Sequence, residues 1–362
     1  MVTQLRSAIV GVGFIGEVHA RAIRSAGGIL VGISSKTRAE AESVADRFFA
    51  ERTFDSAEEI VAADDVDIVH ICTPNNSHAG LAQLALSAGK HVICEKPIAT
   101  SVQDAQLLAD AANRAGVVTA VPFVYRFYAS VREARERVRR GETGPIRLLH
   151  GSYLQDWLSR PQESNWRVDP GQGGGSRAFG DIGVHWCDLI EFVTGHRISR
   201  LSANLFAIAR DGSPAGRRGT EDAATVMFET DQGAAGSVVI SQVSPGRKNR
   251  LWFSLDAANA SYQFDQENPD SLWIGGREQN IVLPRAAEGS VTATASAYNI
   301  VPTGHPQGYQ DSFTAFLTDV HAAVNGEKPD GLPTFADGLR AAVITAAVLD
   351  SAESGSWVQV SG

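Results

Sequence analysis

A chain of 362 residues is too long for one typical core, and 43% hydrophobic with 20% charged residues is the composition of a globular protein of two domains, neither disordered nor fibrous. A formal charge of -9 argues against nucleic acid or an anionic membrane as the main partner, since both want a basic face. Cys72, Cys94 and Cys187 are widely spaced and belong to no CxxC or Cys/His cluster, so neither a disulfide framework nor a metal site is expected and a reduced cytoplasm fits best. The sequence has no apolar run of bilayer length and no basic segment with a cleavage site at its start, so neither a membrane span nor a leader is expected.

The first element is an apolar strand, Ala8-Ile9-Val10, which turns into a helix through Gly11, Gly13 and Gly16, with Phe14 and Ile15 between them. The first glycine permits the tight turn, the second lets the backbone approach a pyrophosphate, and the third allows close helix–strand packing. A helix from Glu17 to Ala26 and a second strand from Ile29 to Ser34 complete a dinucleotide-binding βαβ unit. An NAD-type unit usually carries an acid next; here the loop reads Ser34-Ser35-Lys36-Thr37-Arg38. Ser35, Lys36 and Arg38 suit a 2′-phosphate, or form an ordinary solvated turn, so NAD and NADP both stay open.

The alternation continues with a helix from Thr37 to Phe49, a short helix from Ala57 to Ala63 and a strand from Val66 to Cys72. Thr73-Pro74-Asn75 ends that strand where ligands of open α/β sheets collect, and His78 caps or lines the site. Strand His91–Cys94 ends in Glu95-Lys96-Pro97 at the same edge. A lysine there either holds the nicotinamide ribose and favours a developing alkoxide or is a surface lysine at a strand end. Helix Val102 to Ala115 and strand Val117 to Val124 close this half.

From Tyr125 the texture changes. A helix from Ala129 to Arg140 is followed by strand-like runs at Arg147 to Trp157, Ile198 to Ala209, Ala223 to Glu229, Gly236 to Gln242, Leu251 to Asp256 and Ala260 to Phe264, several alternating polar with apolar as in a sheet with one covered face. Residues 266 to 304 read as loop-rich, ahead of helices at Gln307 to Val324 and Thr334 to Ser351 and a last edge strand at Trp357 to Val360. Between the first of these strands and the next helix lie Trp157, Arg160, Asn165, Trp166 and Arg167. Indole faces stack on sugar rings while asparagine and arginine read hydroxyls or acidic substituents, and Arg126 and Arg177 join the arginines that would welcome an anionic sugar. The bland alternative is that the tryptophans cover a seam and the arginines pair with carboxylates.

That next helix opens after Gly173-Gly174-Gly175 and runs for about 15 residues to Gly195, with Asp181 in its first turn and His185 four residues on. On one face of a helix a carboxylate can hold one imidazole nitrogen and leave the other for proton transfer, and the helix N-terminus keeps the ring neutral.

The glycine turn, Thr73-Pro74-Asn75 with His78, Glu95-Lys96-Pro97, and Gly180-Asp181-Ile182-Gly183-x-His185-x-x-Asp188 together resemble the glucose-fructose oxidoreductase / inositol dehydrogenase / MocA (Gfo/Idh/MocA) family, in order and spacing across some 190 residues. The resemblance implies an α/β fold: an N-terminal Rossmann doubly wound parallel sheet (1–124), then an α+β domain (125–362) with a large, mostly antiparallel open sheet that serves substrate binding and homodimer or homotetramer assembly. It places Lys96, Asp181 and His185 as the catalytic group; the first three motifs read as the site of an NAD or NADP cofactor, and residue type sets Arg126, Trp157, Arg160, Asn165, Trp166 and Arg167 near a carbohydrate. The implied activity is hydride transfer between a nicotinamide and a ring hydroxyl of a sugar or cyclic polyol. Two alternatives remain: a redox-neutral NAD-dependent glycosidase, including one acting on a uronate or sulfonated glycoside, and a non-enzymatic dinucleotide sensor.

Overall fold

The computed structural model describes residues 4–160, 162–163, 165–208, 220–286 and 291–361. Its first half alternates β1 (Arg6–Val10), α1 (Phe14–Ser25), β2 (Ile29–Ser34), α2 (Arg38–Phe48), β3 (Arg52–Thr53), α3 (Ala57–Ala62), β4 (Ile68–Ile71), α4 (His78–Ser87), β5 (His91–Cys94), α5 (Val102–Ala115) and β6 (Thr119–Ala120). Next come α6 (Ala129–Arg139), β7 (Ile146–Leu154), α7 (Pro170–Gly173), α8 (Val184–Thr194), β8 (Ile198–Phe206), β9 (Ala223–Thr230), β10 (Ala235–Ser241) and β11 (Arg250–Ala257). The chain ends with β12 (Ser261–Asp265), β13 (Ser271–Gly275), β14 (Asn280–Pro284), α9 (Ala293–Ser296), α10 (Tyr309–Val324), α11 (Phe335–Ser354) and β15 (Val358–Gln359).

Two units divide the chain. The first comprises residues up to Val124 together with Tyr309–Ala342; the second comprises Tyr125–Gly308 and residues from Val343 on. A division by chain order alone assigns everything after 124 to the second, so the return of Tyr309–Ala342 to the first is a difference. Its physical reason is α10, which packs on α1, with Gln310 Nε2 donating to the Val18 carbonyl at 3.2 Å.

In the first unit six parallel strands are ordered β3-β2-β1-β4-β5-β6, the doubly wound arrangement. All four residues of β4 are buried, as expected of a strand covered on both faces. Register pairs Val10 with Ile71 and Ile71 with Cys94, so the segments that follow, at Gly11, Cys72 and Glu95, leave the sheet at one edge. β6 is shorter than the run Val117 to Val124 suggests, because Pro122 has no N–H to extend the ladder and a 3-10 turn begins at Val124.

The second unit is built on nine strands ordered β14-β13-β12-β11-β7-β10-β9-β8-β15, all antiparallel neighbours except β7 with β10. α6 and α8 cover one face, over Leu149, Phe228, Phe253 and Phe264, all buried. Burying a phenylalanine fully stabilises by about 1.5–3 kcal/mol. Gly151 lets α8 lie close: a Cβ there would come within 2.5 Å of Trp186 Nε1, which donates to the Trp252 carbonyl at 2.9 Å. On the other face Leu148, Met227 and Val239 are exposed. β13 and β14 form a hairpin inside the stretch read as loop, each only five residues long. β8 ends at Phe206; the last residue of the expected strand, Ala209, lies outside the described residues.

Candidate active site

The glycine turn after β1 has the shape a pyrophosphate needs. Gly11 has φ +103°, and a Cβ on it would lie 2.5 Å from the Cys72 carbonyl oxygen. A Cβ on Gly16 would lie 2.3 Å from the Gly11 oxygen, whereas one on Gly13 meets nothing within 4 Å. The backbone at Gly13 is thus open to a ligand, and Gly13 is the N-cap of α1 with no side chain capping it, so the first helical N–H groups are available to an anion. Phe14 stands 77% exposed beside it and Ile15 is half-buried. The residues present fit a dinucleotide.

In the loop after β2, Ser35 is half-buried, Lys36 exposed, and Thr37 caps α2 by accepting from the Glu40 N–H at 3.2 Å. Arg38 donates to Glu42 and to Asp55, each at 2.8 Å. Two carboxylates therefore already neutralise the guanidinium that the sequence offers to a 2′-phosphate. After β4, Thr73 Oγ1 bonds Ser77 Oγ at 2.6 Å, Pro74 precedes the 3-10 turn Asn75–Ser77, and Asn75 is half-buried. His78 is buried, its Nδ1 2.7 Å from the Pro97 carbonyl and its Nε2 2.8 Å from the Thr73 carbonyl, so it ties the loops after β4 and β5 together. Glu95 is buried and Lys96 and Pro97 are half-buried at the end of β5.

In the second unit, the expected uninterrupted helix is instead a π-helical turn, Phe179–Gly183, leading into α8. Gly183 allows it, since a Cβ there would lie 2.6 Å from the Phe179 ring. Such turns occur frequently at functional sites. Asp181 sits in this turn, its backbone N–H donating to the Arg177 carbonyl at 2.7 Å. Its carboxylate accepts from Gln242 Nε2 at 2.8 Å and lies 3.6 Å from Arg167 Nε. Gln242 is fully buried, and its amide orientation follows from Arg177, which donates from Nη1 to Gln242 Oε1 at 2.9 Å and pairs with Asp222. Arg177, Asp222 and Gln242 form a buried frame behind Asp181.

His185 is buried in the first turn of α8. Tyr125 meets its ring edge-on at 5.2 Å, and Tyr153 lies tilted to it at 6.4 Å. The two phenols bond each other; Tyr153 donates to Asn249 Oδ1 at 2.8 Å, which also accepts from Gln155 Nε2 at 2.7 Å, and Gln155 Oε1 accepts from Trp157 Nε1 at 2.8 Å. Burial pushes the Tyr125 phenol above its usual pKa, against its hydrogen bonds to Tyr153 and Asn249, so it stays protonated near neutral pH.

Of the arginines expected to read substrate, Arg126 is buried in a two-point ion pair with Asp188, Arg177 is held by Asp222, and Arg160 is exposed. Arg167 stacks on half-buried Trp166 at 4.4 Å while reaching Asp181, and Asn165 Oδ1 caps the short turn at Trp166 by accepting from the Arg167 N–H at 3.2 Å. Sequence reasoning missed Gln242, Asn249, Tyr125, Tyr153 and Asp222; their one signal is polar or aromatic residues at strand ends or in the chain crossing between halves. Among the described residues no group of three or more His, Cys, Asp or Glu is placed to hold a metal, and no helix is long and apolar enough to cross a membrane.

Residues 5–123 match the family described as "Oxidoreductase family, NAD-binding Rossmann fold", and residues 131–262 match the GFO/IDH/MocA C-terminal domain. The chain belongs to the Gfo/Idh/MocA family. Within it, the chain is similar to an oxidoreductase domain protein from Kribbella flavida, whose solved structure is 32% identical with a TM-score of 0.90 over 100% of both chains. It is 28% identical to levoglucosan dehydrogenase of Pseudarthrobacter phenanthrenivorans over 98% of each protein. A solved structure titled as levoglucosan dehydrogenase in complex with NADH and levoglucosan superposes with a TM-score of 0.90, covering 99% of this chain and 100% of that one. A 1,5-anhydro-D-fructose reductase of Ensifer adhaerens is 29% identical over 91% of this chain and 92% of its own length. The Gfo/Idh/MocA membership makes this an oxidoreductase with an NAD-binding Rossmann domain.

Proposed function

We propose that the protein is an NAD-dependent dehydrogenase that oxidises a ring hydroxyl of a neutral pyranose or anhydropyranose. The observation that carries this reading is the Asp181 carboxylate, held by buried Gln242 one turn ahead of His185. A fixed carboxylate beside a neutral imidazole stabilises the imidazolium that forms when the ring takes a proton. In this reading His185 removes the hydroxyl proton, Asp181 stabilises the resulting charge, and the Lys96 ammonium steadies the oxygen as it becomes anionic. The nicotinamide, when bound, supplies the hydride acceptor. The turn at Gly11, Gly13 and Gly16 with Phe14 and Ile15 holds its pyrophosphate, and the segments Thr73–Asn75 and Glu95–Pro97 flank it.

Arg38, engaged by Glu42 and Asp55, favours NAD over NADP. A neutral ring is favoured because Arg126, Arg167 and Arg177 each lie against a carboxylate, leaving little uncompensated charge for a uronate. Trp157 and Trp166 supply stacking faces. Full-length similarity to levoglucosan dehydrogenase supports the same substrate class. The open sheet face with exposed Leu148, Met227, Val239 and Val282 supports assembly of like copies through it.

Purified protein incubated with NAD, and separately NADP, against levoglucosan, a nitrophenyl glucoside, an inositol and glucuronate gives the test. Reduced-nicotinamide absorbance with NAD and a neutral ring is expected. Aglycone release without accumulated NADH would make it a redox-neutral glycosidase, and NADH binding with no turnover on the panel would favour a sensor.

A further inference from the structure

Inside the first unit, two histidines that the proposed chemistry does not use are linked in a chain to Glu95. His19 of α1 and His70 of β4 are both 0% exposed, with their Nδ1 atoms 2.9 Å apart. His19 Nε2 lies 3.2 Å from Glu95 Oε1, and Glu95 Oε2 accepts from the Lys96 backbone N–H at 3.2 Å.

Only one proton fits between the two Nδ1 atoms. His70 Nε2 is buried without a hydrogen-bond partner. A proton there would be an orphaned buried donor, which is costly, so the His70 proton belongs on Nδ1, where it donates to His19. Burial, with His19 and His321 beside it, holds the His70 pKa well below 6.5, so that ring carries a single proton near neutral pH. His19 Nδ1 is then an acceptor, and the His19 proton sits on Nε2, aimed at Glu95. A doubly protonated His19 would donate from Nδ1 as well and drive the His70 proton onto the orphaned nitrogen. Other titratable neighbours are His321 of α10, His78 of α4, whose pKa burial lowers against the pull of Glu95, and the thiols of Cys72 and Cys94, which burial and then Glu95 push up and keep protonated. Phe313 of α10 closes the remaining side of His19 at 5.1 Å.

We propose that His19 is a positioning residue: a neutral Nε2–H tautomer, set by His70, that holds the Glu95 carboxylate and through it fixes the Lys96 strand end against α1. Because α1 begins at the pyrophosphate turn, the same helix that receives the dinucleotide locates the lysine. The effect on turnover rests on the reading of Lys96 given above; the tautomers do not.

Nitrogen NMR of the full chain labelled at histidine nitrogen, assigned with His19→Gln and His70→Gln, tests the tautomers directly. His70 protonated at Nδ1 and His19 at Nε2, with neither ring doubly protonated near pH ~7, is expected. An imidazolium on either ring, or a His70 proton on Nε2, overturns the proposal. In turnover with NAD and the most active sugar of the panel, His19→Met is expected to lower kcat by about 10- to 100-fold, with NADH affinity little changed, as for a small misplacement of a catalytic group. His19→Gln, whose amide can accept from His70 and donate to Glu95, is expected to restore most of it. Methionine performing as well as glutamine would mean that the ring only packs. Should Lys96→Met retain full turnover while the expected tautomers are seen, the reading of Lys96 fails and the histidine chain stands as a structural one.

Discussion

The two units hold their site residues in different ways. In the first, the residues sit in consecutive backbone turns at the ends of β1, β4 and β5, and their geometry is set by glycines and strand register within a few positions of themselves. In the second, the groups behind Asp181 and His185 come from far along the chain: Gln242 is 61 residues from Asp181, Asp222 is 45 from Arg177, and Asn249 is 124 from Tyr125. A turn motif carries its own contacts, while a buried side-chain frame exists only once a sheet has brought its strands together. The first unit should therefore lose function through backbone changes and the second through single hydrogen bonds.

The largest expected effect sharpens the chemical role of the second unit. His185→Ala should lower kcat by about 10²- to 10⁴-fold, the usual cost of losing a proton-transfer group, with NADH affinity almost unchanged because in the proposed mechanism the ring acts on the substrate proton. Near-wild-type turnover in the folded variant would remove His185 from the mechanism.

Next come two glycines of the first unit. A Cβ at Gly13 touches nothing in the protein, so Gly13→Ala should keep its melting temperature yet weaken NADH by about 10-fold, as the methyl enters the space of the pyrophosphate. Gly16→Ala puts the methyl 2.3 Å from the Gly11 oxygen and should lower the melting temperature as well. Calorimetry and NADH fluorescence on both variants separate the two effects. Equal melting losses would mean that the turn is closed at Gly13.

Gln242→Leu should leave the Asp181 carboxylate short of a donor and Arg177 short of an acceptor, at about 1–3 kcal/mol, or roughly 5- to 150-fold in kcat/KM, with NADH binding unaffected. Gln242→Glu should be worse, because it sets a second carboxyl against Asp181. A harmless leucine would show that Asp181 does not need this frame.

These variants also mark what the sequence could and could not reveal. The glycine turn, the Thr73 and Glu95 segments at one sheet edge and the parallel sheet are legible, because each is a local pattern with a local cause. Gln242 is not, since nothing within a few residues of it indicates that β10 ends behind Asp181. For the same reason Arg126 and Arg177 read as substrate cations until Asp188 and Asp222 were seen to hold them. The π turn escaped because its 3.6-like periodicity is intact and only the packing of Phe179 against Gly183 selects it.

The smallest expected effect is on stability and again separates the units. Burial lowers the pKa of His70, His78, His91 and His321 in the first unit and of His196 in the second, each from 6.5. For His70, nearby His19 and His321 add to burial. A ring with a lowered pKa in the folded state stays neutral there, while the unfolded chain takes up its proton once the pH falls through 6.5. The unfolded state then binds more protons, so the contribution is fully present above that pH and is lost progressively below it. With most of these rings in the first unit, acid should weaken that unit first as the pH falls through 6.5. Amide hydrogen exchange above and below that pH, corrected for intrinsic rates, should show protection falling in β4 and β5 before β9 to β11. Equal loss in both sheets would mean that these histidines are already solvated in the native state, and with them the neutral chain from His70 to Glu95 would fall.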